Sequence, residues 1–94
     1  MILTEEVLSR ITVEDDNDEL RITVDVHGMK CWEVRRLLNN LILLSSGSFT
    51  MEIIHGYIHG TAIKEMIAND AINPRIINRY EDTWHYGVTY LNVA

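Results

Sequence analysis

Long apolar runs are missing from this 94-residue chain. None approaches the roughly 20 residues that cross a membrane, so no spanning helix is expected. The amino terminus has no basic stretch followed by an apolar one, so the chain is expected to stay in the cytoplasm. Cysteine is nearly absent as well. Cys31 stands alone, so an intrachain disulfide is excluded and a reducing compartment fits. Its position at the apolar start of a predicted helix makes it a buried side chain. Proline occurs once, at Pro74, and no internal repeat or low-complexity segment is present. Positive charge is not in surplus either, because the net charge is −6. The imbalance lies in one place: residues 1–19 hold seven acids against Arg10, whereas residues 20–94 balance seven acids with seven bases. A neutral body neither makes nor excludes a phosphate-binding surface, since affinity depends on where bases cluster.

What is present is one domain's worth of alternating strand and helix patterns. Val7, Ile11 and Val13 suit a short helix or an added edge strand, and the acidic run at residues 14–19 reads as a solvated linker. Residues 1–19 are therefore taken as an acidic extension and residues 20–94 as the domain. From Leu20, apolar Leu20, Ile22, Val24 and Val26 alternate with polar residues, which is a strand ending at Gly28. Val34, Leu37, Leu38, Leu41 and Ile42 recur at helical spacing and predict a helix over residues 30–46, with Gly47 as its cap. Trp32 in its first turn reads as a lid on the core. Phe49 to Ile54 makes a second strand, parallel to the first through a right-handed crossover. A helix follows over residues 60–72, stopped by Asn73 and Pro74. Strands over residues 75–80 and 87–93 complete the order β-α-β-α-β-β, with Val88, Tyr90 and Asn92 on one face of the last.

Two turns carry candidate chemistry. Alternation puts Asp25 and His27 on one side of the first strand at its C-terminal end, where a carboxylate can orient an imidazole for acid-base work. Residues 55–63, HisGlyTyrIleHisGlyThrAlaIle, lie between the second strand and the next helix. Glycines there let a ligand approach the backbone, and the helix start offers unpaired amides to an anion. Parallel strands end at the same edge, so Asp25 and His27 should face His55. Lys30, Arg35 and Arg36 suit a basic patch near that edge, and Lys64 points outward. His27, His55, His59 and Asp25 are the available metal ligands, but they share no fixed spacing and no tightly bound metal is expected. His85 lies between Trp84 and Tyr86 in the last connection; these aromatics either stack on bases or pack against the sheet.

Asp25, Val26, His27, Gly28 and Met29, then His55, Gly56, Gly60 and Thr61, then Gly87, Val88 and Thr89 together resemble the Smr (small MutS-related) domain family. The resemblance covers residues 20–94 and is nearest to short stand-alone bacterial Smr-like proteins. It implies an α/β (α+β) two-layer sandwich, with a mixed four-stranded sheet in the order 1-2-4-3 and two helices on one face. It also implies DNA or RNA binding, in some members with metal-stimulated nicking, in repair or recombination. Carried over residue by residue, Asp25, His27 and His55 take the catalytic positions. Gly28, Gly56, Tyr57, His59, Gly60 and Thr61, with Lys64 and Arg35 near them, take the nucleic-acid contacts. Two departures stand out. Tyr57 replaces the family's usual base and can stack but not neutralise a phosphate, and Ile58 replaces its next glycine. His59, when protonated, would compensate and make binding stronger as pH falls.

Three functions follow as expectations. The first is a nucleic-acid-binding module, the second a nicking endonuclease using Asp25 and His27 with Mg or Mn, and the third an adaptor for protein partners. A homo-oligomer is compatible with each.

Overall fold

The computed structural model describes residues 4–56 and 61–94. Its first surprise is the acidic run. The stretch expected as a linker is a hairpin: β1 (Ile11–Asp16) pairs antiparallel with β2 (Glu19–Asp25), Val13 opposite Ile22. Asn17 and Asp18 form the two-residue turn with φ of 49° and 68°. Two consecutive positive φ values match the right-handed twist of a hairpin, and Asn and Asp are the non-glycine residues that tolerate them best. The acids are thus turn and edge residues, and charge on an edge strand also discourages pairing with another chain. A four-residue helix, α1 (Glu5–Leu8), precedes β1; the Thr4 side chain accepts the Val7 amide at 3.2 Å as its cap.

The remaining elements are α2 (Cys31–Leu44), β3 (Phe49–Ile54), α3 (Ala62–Asn69), β4 (Ile76–Glu81) and β5 (Val88–Val93). The described residues thus form an α+β fold with a mixed five-stranded sheet, in the order β1-β2-β3-β5-β4, and three helices. The expected four-stranded sheet lacked β1. Only β2 and β3 run parallel, as a strand-helix-strand unit requires. No helix among the described residues is long and apolar enough to cross a membrane.

One face of the sheet is dry. Ile22 and Val24 of β2, Phe49, Met51 and Ile53 of β3, and Leu91 and Val93 of β5 pack against Val34, Leu37, Leu38, Leu41 and Ile42 of α2 and Met66 and Ile67 of α3. The other face is polar. There Val88, Tyr90 and Asn92 share a side, as alternation predicts, and the Tyr90 hydroxyl meets Glu52 at 3.1 Å and Asp82 at 2.8 Å. Burial, then hydrogen bonding to Asp82 and Glu52, raises the Tyr90 pKa, so the phenol stays protonated.

Helix ends depart from expectation. Gly47 does not cap α2, whose C-cap is Ser45 in an extended conformation. Arg75 does that work instead. Its guanidinium donates to Ile42 O at 2.7 Å, Ser45 O at 3.0 Å and Gly47 O at 3.1 Å. Arg79 serves α3 in the same way, donating to Ile67 O at 2.8 Å and Asp70 O at 2.6 Å. Carbonyls at a helix end have no partner within the helix, and a cation there also answers the helix dipole. Trp32 is no lid: it is 60% exposed, and Cys31 beside it is only half-buried.

Candidate functional site

Three glycine-bearing segments meet where β2 and β3 end and β5 begins. Asp25 lies opposite Ile54, and Ile54 opposite Val88. The His55 and Gly56 amides both donate to Gly87 O, at 2.8 and 3.1 Å. Gly56 has φ +75°, a conformation side chains rarely adopt, so glycine is needed there for its backbone. Gly87 is needed for space. A Cβ built on it would lie 3.0 Å from Gly56 Cα and 3.3 Å from Gly56 N and C. On the other side of Gly56, its own built Cβ would stand 3.6 Å from His27 Cβ. The backbone of Gly56 is therefore layered between the His27 turn and Gly87.

Asp25 and His27 form the exposed half of this site. Asp25 Oδ1 accepts the His27 backbone amide at 3.2 Å and lies 2.5 Å from His27 Nδ1. A carboxylate oxygen accepts, so Nδ1 carries the proton and the neutral ring presents its Nε2 lone pair outward from the bond. The His27 side chain is 65% exposed, and Nε2 has no partner among the described residues. Gly28 follows with φ +79° and turns the chain into α2. This is an oriented, accessible imidazole.

His55 is different. It is 6% exposed, and both ring nitrogens are engaged. Nδ1 donates to Gly56 O at 2.8 Å, which leaves Nε2 of the neutral ring to accept the Thr89 hydroxyl at 2.8 Å. Its place is to tie the end of β3 to β5; as placed, it offers no nitrogen to a substrate.

The other expected contacts divide further. Tyr57, Ile58, His59 and Gly60 lie outside the described residues. Thr61 precedes α3, but its hydroxyl donates to Glu65 Oε1 at 3.0 Å and does not cap the helix amides. Glu65 thereby puts negative charge in the first turn of α3, where an anion would otherwise be welcome. Lys64 pairs with Glu81 at 3.3 Å, and Arg35 pairs with Asp70 in a shallow cleft between α2 and α3. With Arg75 and Arg79 on helix carbonyls, the expected basic cluster does not assemble. Arg21 lies over the Tyr90 ring on the polar sheet face, and Lys30 and Arg36 are the bases left without a side-chain partner among the described residues. Among those residues, too, no three His, Cys, Asp or Glu side chains converge as a cation site.

Arg10 is a site residue that sequence reasoning missed. Its guanidinium donates to Asp25 O and His27 O, both at 3.2 Å, while the Asp25 amide donates to Arg10 O at 2.9 Å. The N-terminal segment thus straps the turn that carries His27. The one available signal was a lone base among seven acids. Arg10→Ala should cost about 1 kcal/mol, typical of lost hydrogen bonds to a charged donor that is partly in water. It should also speed amide exchange at His27. Denaturant unfolding and hydrogen exchange check both, and unchanged exchange at His27 would show that the strap is dispensable.

No family model, curated protein or solved structure matches the chain.

Proposed function

We propose that this chain is a nucleic-acid-binding module of the Smr type, which contacts the phosphate backbone at the edge where the His27 turn, Gly56 and Gly87 meet. The observation that supports it is the meeting of those segments around an exposed imidazole fixed by Asp25 at 2.5 Å, with Gly28 beside it, whose built Cβ meets nothing within 4 Å. A protonatable ring is a phosphate donor that needs no basic patch. Because Lys30 and Arg36 are the bases left over, binding should depend only mildly on salt. Fluorescence anisotropy with a labelled oligonucleotide should give a slope of log affinity against log salt near −2, about one unit per phosphate neutralised. No binding at low salt would remove the proposal and return the adaptor reading.

A second reading, nicking, is favoured by the Asp25–His27 bond itself. With Nδ1 committed to Asp25, Nε2 can take the proton of a water attacking phosphorus. Any Mg or Mn would come with the substrate. Supercoiled plasmid, incubated with and without Mn²⁺ or Mg²⁺, tests it.

A further inference from the structure

We infer that the connection between β4 and β5 is a stacking platform for unpaired nucleobases, with Trp84 as its main surface and Tyr86 beside it. This rests on the nucleic-acid reading of the neighbouring edge and names what that edge would select.

Two observations lead there. The first is that the turn is ordered while its aromatic side chains stay in water. Asp82 Oδ1 accepts the amides of Trp84 at 2.8 Å and His85 at 3.2 Å, and its Oδ2 accepts the Tyr90 hydroxyl at 2.8 Å. The backbone closes the turn through Asp82 N to Val88 O at 3.1 Å and Val88 N to His85 O at 3.2 Å. Yet Trp84 is 85% exposed and Tyr86 75% exposed. Trp84 is therefore not packed against the sheet, which was the competing expectation for it. The second observation is position. Gly87, which ends this turn, is the residue whose carbonyl receives the His55 and Gly56 amides. The aromatic turn springs from the same edge as His27.

Electrostatics then decides the kind of partner. With Arg35, Lys64, Arg75 and Arg79 engaged elsewhere, phosphate neutralisation can supply little affinity. Stacking must supply the rest, and an indole stacks on any base whose face is open. Bases inside a duplex have both faces covered, whereas those of a single strand, loop or gap do not. The platform should therefore select unpaired segments of DNA or RNA.

The test uses Trp32→Phe, which leaves Trp84 as the chain's one tryptophan, titrated with single-stranded DNA, single-stranded RNA and a blunt duplex. Single strands should quench Trp84 fluorescence and bind at least about ten-fold tighter than the duplex. Trp84→Ala should weaken single-strand binding by about 5- to 150-fold, the span of one base-aromatic stack, and leave duplex binding unchanged. The side chain is exposed, so circular dichroism should not change. Equal affinity for single strand and duplex, untouched by Trp84→Ala, overturns the platform while leaving the binding module standing. Failure of all three nucleic acids to bind overturns both. The DNA and RNA arms show which sugar is accepted.

The turn's order has its own consequence. The Trp84 amide, then the Tyr90 hydroxyl and the His85 amide, hold the Asp82 carboxyl below the usual carboxylate range. A lowered pKa means the ionised form stabilises the fold above about pH 4, and this contribution is lost as pH falls below it. Asp82→Asn should therefore flatten the acid limb of the stability profile. An unchanged acid limb would show that Asp82 does not hold the turn.

Discussion

Replacing Gly87 with alanine is expected to destabilise the protein by about 1–3 kcal/mol, the range for a group forced into a packed site. The added Cβ would start 3.0 Å from Gly56 Cα and 3.3 Å from two more Gly56 backbone atoms. Backbone atoms cannot swing away as a flexible side chain can. Relief requires β5 to move off Gly56, and that stretches the two bonds from His55 and Gly56 to Gly87 O. The same displacement would loosen the Thr89 hydroxyl from buried His55 Nε2. Denaturant unfolding measures the loss. A midpoint equal to wild type would show that the three segments are not locked together as described. Gly28→Ala is the natural comparison, because its built Cβ meets nothing within 4 Å and its cost comes only from φ +79°.

If the chain nicks nucleic acid, His27→Ala should lower the rate by about 10²- to 10⁴-fold, the usual contribution of a positioned acid or base. Asp25→Ala should lower it too, because the carboxylate sets which ring nitrogen carries the proton and where the other points. Asp25→Asn separates orientation from charge. Its amide can keep one contact to the ring but lacks the negative charge. The His27 side chain is 65% exposed and that of Asp25 38%, so stability should fall by less than about 1 kcal/mol. Loss of activity without loss of stability is the signature to look for. Equal nicking by wild type and His27→Ala would assign the cleavage to a contaminant or to another residue.

The helical stripe of α2 was legible because Val34, Leu37, Leu38, Leu41 and Ile42 repeat at a spacing that only a one-sided helix produces, and all five are buried. The parallel pairing of β2 and β3 was equally legible, since a helix between two strands leaves little choice. The start of β1 was legible, since Ile11 and Val13 suited an added edge strand, but its second half was hidden by its charge. Residues 14–16 are acidic and one side of an edge strand faces water, so composition suggested a linker while Asn17 and Asp18 were in fact forming a turn. At the site, the meeting of Asp25, His27, His55 and Gly56 followed from topology. The separation of His27 and His55 into exposed and buried members did not, because it depends on Thr89 arriving from 34 residues away. Nor could sequence show that Arg75 and Arg79 serve helix ends; their partners are main-chain carbonyls, which every residue carries.

Whether nucleic acid contacts this edge of the sheet is decided by an amide NMR titration of the whole chain with a short single-stranded oligonucleotide. Shifts are expected to concentrate at residues 26–29, at His55, Gly56 and Thr61, and at residues 84–87, with β1 and the C-terminal end of α2 unmoved. Shifts confined to β1, to the polar sheet face or to the α2 and α3 cleft, or no shifts at all, would contradict such contact.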